Sequence, residues 1–355
     1  MLLAEVLNNH YRSVAVIGMG KNTGKTFTFN QLLSEAQQQG LTMALTTIGL
    51  DGEARDSLFH HDKPQVVINP GMIVANAKSL LVESGLDYEI LGTTQINTPL
   101  GEIILARSLS FGKTVLAGPN TAHELAQVKK QLDGLEVDLL LVDGAVDRRS
   151  LSAPLVTDVA ILAVGAEVAW DRFLLLEKLR HHFALLTLPP FKHHTLDQYL
   201  RGLPEDVKVV YLSYDGVPKA IKYSEFELES GLVESLAHEL KLVYVRGLLS
   251  DDVLVKIMGQ VSQEASFTLL AQNPTSIFLG PQSLQRLAAQ NIDLRVLDAI
   301  SVCAVTVNPF NSSYGFVDPI QMLVDVGRAV YPVPCLDLAL GLRYVPEKED
   351  VDAIS

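Results

Sequence analysis

A run of glycine, lysine and threonine residues near the amino terminus has the composition of a phosphate-binding loop. It reads Gly18-Met-Gly-Lys-Asn-Thr-Gly-Lys-Thr26 and directly follows the apolar segment Val14-Ala-Val-Ile17. A strand, a glycine-rich turn and a helix start in this order let backbone N–H groups wrap a phosphate. Lys25 would then reach the outer phosphates of a nucleoside triphosphate, and the Thr26 hydroxyl would bind Mg²⁺. The sequence therefore predicts nucleoside triphosphate binding.

The spacing of this loop departs from the usual pattern Gly-x-x-x-x-Gly-Lys-[Ser/Thr] at one position. The first glycine of that pattern falls on Met19, with glycines on either side of it, so the backbone freedom is kept but shifted by one residue. A chance turn of the same composition is the alternative, and the strand before the loop and the amphipathic helix after it favour the loop. The predicted nucleotide-binding residues are Gly20, Lys21, Asn22, Thr23, Gly24, Lys25 and Thr26.

Two acidic residues follow other apolar segments and are candidates for metal binding. Asp143 ends the run Leu139-Leu-Leu-Val142, where an aspartate of a nucleotide-binding fold holds Mg²⁺, usually through a water molecule. Asp51 follows the predicted strand 42–48 and could ligate Mg²⁺ or orient an attacking water, because ligands bind beyond the carboxyl ends of strands. Simple turns are the alternative at both places. We predict catalytic roles for Lys25, Asp51 and Asp143, and metal binding by Thr26, Asp51 and Asp143.

The overall composition limits the class of protein. The 355 residues are 48% hydrophobic and 19% charged, which is typical of a globular chain. A net charge of −13 argues against nucleic acid or an anionic membrane as the main partner, since either requires a basic face. The amino-terminal residues lack the basic and apolar regions of a signal peptide. These features predict a cytoplasmic protein.

Apolar segments alternate with amphipathic ones along the chain, which predicts an α/β fold with a mostly parallel sheet and flanking helices. We expect a nucleotide-binding domain at 1–190, a second, smaller α/β domain at 200–345 and an acidic tail at 346–355. The pattern predicts a helix over 72–82 and helical structure in the second part of 93–107. A strand over 302–307 is assigned to the second domain. Asn308-Pro-Phe-Asn311 after it could line a site at the carboxyl edge of that domain, and a turn is the favoured alternative.

The loop and the Asp143-Gly-Ala145 segment resemble those of one branch of P-loop proteins, the dethiobiotin-synthetase-like enzymes and the molybdopterin-guanine-dinucleotide adaptors. A broader resemblance rests on five segments and points to the ATPase subunit of the lysine 5,6-aminomutase reactivase family. Those segments are Thr47-Ile-Gly-Leu-Asp-Gly-Glu53, Thr98-Pro-Leu-Gly-Glu102, Ala117-Gly-Pro119, Leu141-Val-Asp-Gly-Ala-Val-Asp-Arg-Arg-Ser150 and Val305-Thr-Val-Asn-Pro309.

The resemblance implies a P-loop ATPase that uses ATP and Mg²⁺ to restore a cobalamin-dependent aminomutase, together with a second reactivase subunit. No Asn-Lys-x-Asp or Thr-Lys-x-Asp segment is present, which favours ATP over GTP. Two alternatives stay open: a small-molecule ligase or kinase resembling dethiobiotin synthetase, and a nucleotide-binding adaptor that delivers a cofactor. A homodimer, in which Lys21 would reach a nucleotide held by the other subunit, is the alternative to a solvated Lys21.

Overall fold

The computed structural model describes residues 1–48, 65–144, 154–213, 217–222, 240–259, 261 and 266–347. The chain divides into two compact units, Met1–His182 with Ser301–Ser355, and Phe183–Ile300. Each unit is an α/β structure with its own sheet. Among the described residues, no helix has the length and apolar character needed to cross a membrane.

The chain before residue 187 forms short helices and strands in alternation. Its elements are α1 (Leu2–Leu7), β1 (Ser13–Gly18), α2 (Lys25–Gln38), β2 (Met43–Ile48), β3 (Val66–Ile68), β4 (Ile73–Ala77), α3 (Lys78–Glu83), β5 (Tyr88–Thr98), β6 (Gly101–Ser108), β7 (Gly112–Thr114), α4 (Ala122–Leu132), β8 (Leu139–Gly144), β9 (Val159–Gly165) and α5 (Arg172–Leu186).

The next segment holds the sheet of the second unit. Its elements are α6 (His194–Arg201), β10 (Val207–Ser213), β11 (Pro218–Lys222), β12 (Leu240–Val245), β13 (Leu249–Ser250), α7 (Asp251–Met258), β14 (Thr268–Ala271), a 3₁₀ turn (Pro274–Ser276), β15 (Ile277–Phe278), α8 (Pro281–Ala289) and β16 (Asp293–Val296). The main sheet of this unit has the strand order β11-β10-β12-β14-β16, and β12, β14 and β16 are parallel.

The last segment returns to the first unit. It contains β17 (Val302–Asn308), β18 (Phe310–Asn311), β19 (Gly315–Phe316), α9 (Pro319–Ala329), β20 (Cys335–Asp337) and β21 (Leu342–Tyr344). The large sheet runs β21-β20-β17-β9-β1-β8-β2-β4-β6-β5. The strands from β20 to β4 are parallel to their neighbours, while β21, β6 and β5 pair antiparallel.

The centre of this sheet is apolar on both faces. Every residue of β2 and β9 is buried, and so is nearly every residue of β1. Such continuous burial is expected of parallel strands that are covered by helices on either side. On one face, Leu2 and Leu3 of α1 and Phe29 of α2 belong to the same core cluster as the strand residues. Packing of these apolar faces, and not helix propensity alone, stabilises such short helices.

The observed units differ from the predicted domain boundaries. The prediction placed residues 200–345 in one second domain, whereas Ser301–Ser355 belongs to the first unit. The reason is β17, which pairs in parallel with β9 from Val302 to Asn308 and thereby extends the large sheet. A strand that pairs with a partner about 140 residues earlier in the chain carries no local mark of that partner. Most of the predicted acidic tail lies outside the described residues.

Two predicted helical segments differ from the structure: the first is helical only from Lys78 onward, and the second is wrong. Residues 72–82 form strand β4 followed by the short helix α3. The Ile73–Ala77 strand is fully buried between β2 and β6, so sheet pairing overrides the helical spacing of its apolar residues. The segment 93–107 belongs to the hairpin of β5 and β6. Its turn contains Pro99 and Gly101, the latter with φ +103°, a conformation that glycine adopts without strain.

Asp158 joins the start of the central strand β1 to helix α4. Its Oδ2 accepts hydrogen bonds from the backbone N–H groups of Arg12 and Ser13, at 2.8 and 2.9 Å. Its Oδ1 accepts a hydrogen bond from Lys129 Nζ at 2.8 Å. Burial alone would raise the pKa of this carboxyl, but the hydrogen bonds, above all that from Lys129, outweigh burial and hold the pKa below its usual value.

Replacing Asp158 with asparagine should lower the free energy of unfolding by about 1 kcal/mol near neutral pH, because a partly exposed charged acceptor is lost. The folded pKa lies below the unfolded one, so this stabilisation is complete above the unfolded pKa and disappears as the pH falls through the folded pKa. Urea unfolding of both proteins at decreasing pH should show the difference shrinking below about pH 4. A difference that stays constant down to pH 3 would contradict this role.

Candidate functional site

The carboxyl ends of four parallel strands meet at one edge of the large sheet. Strands β8, β1, β9 and β17 lie side by side, in the order in which the sheet pairs them. The register places Val16 opposite Asp143 on one side of β1 and Gly18 opposite Ala163 on the other. The residues that follow these strands therefore lie close together, which is where open α/β sheets bind ligands.

The predicted phosphate-binding loop connects β1 to α2 at this edge. Two of its residues take the left-handed conformation, Asn22 with φ +57° and Gly24 with φ +92°. Gly24 is also the N-cap of α2, and no side chain caps this helix end. The turn therefore leaves the positive end of the helix dipole open toward the loop.

The backbone N–H groups from Lys21 to Thr26 make no hydrogen bond of good geometry with the described residues. Met19 N donates to Ala163 O, and Thr28 N donates to Gly24 O within the first turn of α2. Between them, no N–H group from Lys21 to Thr26 donates to a described acceptor. A row of free donors at a helix N-terminus is an arrangement that binds anions, phosphate in particular. The predicted nucleotide-binding residues thus lie together in one loop.

Lys25 and Asp143 form an ion pair across this edge. Lys25 Nζ lies 2.7 Å from Asp143 Oδ1 and donates a hydrogen bond to the backbone oxygen of Gly144. Both side chains are mostly buried, with 14% and 25% exposed. Asp143 Oδ1 itself is buried and, despite the short distance to Lys25, accepts no hydrogen bond of good geometry from a described residue. Its charge is paired with that of Lys25, and an oxygen that accepts no well-formed hydrogen bond from a described residue is suited to a further donor group.

The loop is held against the neighbouring strand by close backbone contact. The Thr23 side chain is buried within the loop, where its hydroxyl donates to Gly20 O at 3.1 Å. A Cβ atom on Gly165, at the end of β9, would lie 2.7 Å from Thr23 Cα. Gly165 therefore permits an approach that no other residue would allow. The structure gives the Thr23 side chain a role in shaping the loop, and leaves its N–H group for a ligand.

Asn308, at the end of β17, lies at this edge, whereas the sequence interpretation favoured a turn there and placed it in the second domain. Its Nδ2 donates to Asn22 O at 2.9 Å, and its Cβ would lie 3.0 Å from a Cβ added to Gly24. Two residues earlier in β17, the Thr306 hydroxyl is hydrogen bonded to the Thr28 hydroxyl of α2 at 2.8 Å. The pattern of an apolar run ending in a polar residue, as at Asp143, was present in the sequence. It was interpreted as a turn because β17 was assigned to the other domain.

The structure describes some of the remaining predicted site residues and not others. Thr26 is the second residue of α2, and its hydroxyl makes no hydrogen bond with a described residue. Lys21 is exposed. Asp51 and Glu53 lie outside the described residues. The segment Ala117-Gly-Pro119 precedes α4, and the N-terminus of that helix is closed by a capping box between Thr121 and Glu124.

The oxygen atoms at the loop fit a magnesium ion. Within the described part of the chain, no group of three or more His, Cys, Asp or Glu side chains could hold a metal. A magnesium ion that accompanies a nucleotide needs fewer protein ligands, because phosphate oxygens and water fill most of its octahedral shell. The free hydroxyl of Thr26 and Oδ1 of Asp143 are ligands or water acceptors of the kind this ion prefers.

Exposed aromatic side chains lie beyond Asn308. The hairpin of β18 and β19 presents Phe310 and Phe316, whose ring centroids are 5.1 Å apart, and Tyr314 packs on Trp170 at the same distance. We call Trp170, Phe310, Tyr314 and Phe316 the aromatic patch; between 40% and 73% of each residue is exposed. Glu167 accepts a hydrogen bond from Ser312 N at 2.6 Å, and its hydrogen bonds to Ser312 lower the pKa of Glu167. Monomeric proteins rarely leave so many contiguous aromatic rings in water.

Comparison of the sequence with models of known protein families and with curated proteins gives no match. The geometry of this site and the resemblance of its motifs are therefore the only basis for a function.

Replacing Gly165 with alanine should displace the loop, because the new methyl group would meet the backbone of Thr23. We expect a loss of about 1–3 kcal/mol in the free energy of unfolding, the range typical of overpacking. Gly92→Ala is the matched control, since a Cβ at Gly92 in β5 meets nothing within 4 Å, and we expect a change of less than about 0.5 kcal/mol there. Urea unfolding of the two variants measures both values. Equal effects would mean that the contact does not hold the loop.

Proposed function

We propose that the chain is a P-loop ATPase that acts as the nucleotide-hydrolysing subunit of a reactivase for a cobalamin-dependent aminomutase. The observation that carries the nucleotide half of this proposal is the loop from Lys21 to Thr26, with its free N–H groups beside the Lys25–Asp143 pair. Donors and a lysine preorganised at one point are what phosphoryl transfer requires, since catalysis there is mostly positioning and charge stabilisation.

Each residue has a defined role in this proposal. Lys25 exchanges its contact with Asp143 for the outer phosphate oxygens, and the loop N–H groups hold the inner phosphates. Thr26 and Asp143 hold Mg²⁺, directly or through water, and the ion supplies positive charge that offsets the charge of the phosphates during hydrolysis. Asp51 remains a predicted ligand or water-orienting residue. The proposed nucleotide is ATP, because the chain lacks a guanine-reading segment.

The aromatic patch supports the part of the proposal that involves a protein partner. The patch begins two residues after Asn308, whose side chain contacts the loop at Asn22. A partner that covers these rings would therefore lie next to the nucleotide site. Exposed clusters of large rings beside a functional edge mark protein-binding surfaces more often than they mark bare surface. The proposed partners are the aminomutase and a second reactivase subunit.

A second candidate function is phosphoryl transfer to a small molecule, as in dethiobiotin synthetase. It requires a small pocket near Asp51 and the segment 117–121; the first unit holds a pocket of about 170 Å³ at another place, with room for a small molecule. Trp170, Leu175 and Met322 line the pocket, together with the ion pair of Arg172 and Asp325, in which Arg172 Nη2 donates to Asp325 Oδ1 at 2.6 Å. Release of ADP that depends on an added metabolite, with no protein partner present, would support this candidate over the reactivase.

Replacing Lys25 with alanine should abolish ATP hydrolysis, because the outer phosphates lose their principal cation. We expect a decrease of at least about 100-fold, as for the loss of other transition-state donors. Lys130→Ala is the matched control and should keep nearly full activity, since Lys130 is an exposed lysine in the last turn of α4, outside the loop. Phosphate release is measured with and without a cobalamin-dependent aminomutase, and circular dichroism checks the fold. Wild-type turnover by the Lys25 variant would overturn the P-loop assignment.

Replacing Asp143 with asparagine should weaken the effect of Mg²⁺ on ATP binding. The amide keeps the shape of the side chain but loses the charge that holds the ion or its water, and supporting ligands of this kind contribute about 10- to 100-fold. Titration of a fluorescent ATP analogue, with Mg²⁺ or with a chelator, measures the ratio of the two affinities. We expect the ratio to fall by about tenfold, with affinity in the chelator little changed. An unchanged ratio would remove Asp143 from the metal site.

A further inference from the structure

The second unit has its own row of polar residues at the carboxyl ends of parallel strands. The register aligns Val245, Ala271 and Val296 at the ends of β12, β14 and β16. The next residues along the chain include Arg246 after β12 and Gln272 after β14. This is the edge at which open α/β sheets bind ligands, and the function proposed above makes no use of it.

A polar pocket of about 420 Å³ opens at this edge. Apart from one glycine, the residues that line it carry polar or charged side chains: Glu205, Arg246, Gly247, Gln272, Asn273, Thr275 and Ser276. A volume of this size suits a small molecule, and most ligand pockets of this size are largely apolar. The polar lining therefore selects a ligand that forms many hydrogen bonds.

A chain of hydrogen bonds holds the wall of this pocket in one orientation. The Tyr244 hydroxyl donates to Gln272 Oε1 at 2.6 Å, and Gln272 Nε2 donates to Asp298 Oδ2 at 2.8 Å. Asp298 in turn is ion paired with Arg201 at 2.8 Å. Tyr244 is almost fully buried, and burial raises its pKa to about 12, so the hydroxyl stays a proton donor at neutral pH. Both ends of the Gln272 amide are thus fixed before any ligand binds.

Arg246 supplies the positive charge of the pocket. Its Nη1 donates to the backbone oxygens of Leu203 and Pro204, which fixes the direction of the guanidinium group. Its Nε and Nη2 donate to no described acceptor. A guanidinium group that is anchored on one side and free on the other offers paired donors, and such a pair matches the oxygens of a carboxylate or a phosphate.

We propose that the second unit binds a small polar molecule through an oxyanion group, a carboxylate or a phosphate, which Arg246 holds. The uncharged part of the ligand faces the wall that Gln272, Asn273, Thr275 and Ser276 form. In that wall the Thr275 hydroxyl donates to Asn273 Oδ1 and the Ser276 hydroxyl donates to Asn273 O, which fixes their oxygens as acceptors for the ligand. Glu205, exposed at the same pocket, opposes the anion and limits its affinity. This site is distinct from the nucleotide loop in sequence, residues and sheet, and it does not depend on the ATPase proposal.

The test uses two simple anions as probes, inorganic phosphate and malonate, on the full chain with Lys25→Ala. That background weakens phosphate binding at the first loop, so failure of the ATPase proposal does not affect the result. Selective ¹⁵N labelling of arginine makes the Nε–H resonance of Arg246 visible, and Arg246→Gln assigns it. We expect a saturable shift of this resonance with at least one probe. A shift with phosphate alone indicates a phosphate-bearing ligand, and a shift with malonate alone indicates a carboxylate-bearing one.

Two further variants separate a binding role of the pocket from a structural one. Arg286→Gln removes an exposed arginine of α8 outside the pocket and should leave probe affinity unchanged. Glu205→Gln removes the opposing charge and should tighten probe binding about threefold, a gain that a purely structural residue would not produce. No saturable shift with either probe, or weaker binding by the Glu205 variant, would overturn the proposal.

Discussion

Parallel pairing of β9, β1 and β8 is the constraint on which the first unit depends. These strands are buried on both faces, so their apolar side chains and backbone ladders together set a single register. A slip by one residue would turn every side chain of a strand to the opposite face. The register brings the start of α2, the end of β8 and the end of β9 to one edge. The ion pair of Lys25 with Asp143 and the contact of Gly165 with Thr23 follow from that alignment.

The ion pair explains how the site can be stable before a ligand arrives. A mostly buried lysine without a partner would be costly, and Asp143 and the Gly144 oxygen together offset much of that cost. The pair is not fully satisfied, because Asp143 Oδ1 accepts no well-formed hydrogen bond from the described residues. In the proposed function, phosphate would compete for Lys25 and a cation would take the place of Lys25 beside Asp143. Ligand binding would thus replace the pair of Lys25 and Asp143 by two new pairs, Lys25 with phosphate and Asp143 with a cation.

The sequence predicted those features that arise from local patterns. The helix expected from Thr26 to Gln39 is observed as α2, and the strand before Asp143 is observed as β8, because each is marked by apolar residues beside a glycine. The helix expected over 72–82 is observed only from Lys78 onward, since burial between two strands is not visible in local spacing. The position of Asn308 in the first unit was missed for the same reason. Its contact with Asn22 spans 286 positions of the chain, and only the pairing of β17 with β9 brings the two together.

Two strand ends support the loop through close contacts, and each strand end continues into a different part of the chain. Gly165 contacts Thr23, and the chain after Gly165 runs through α5 into the second unit. Asn308 contacts Asn22, and the chain after Asn308 forms the hairpin of β18 and β19. Both contacts involve backbone atoms of the loop. A loop that tightens around phosphate must therefore press on these strand ends or release them, because packed interiors shift between discrete arrangements. In the proposed function, these two contacts are the points at which the loop backbone meets the strand ends.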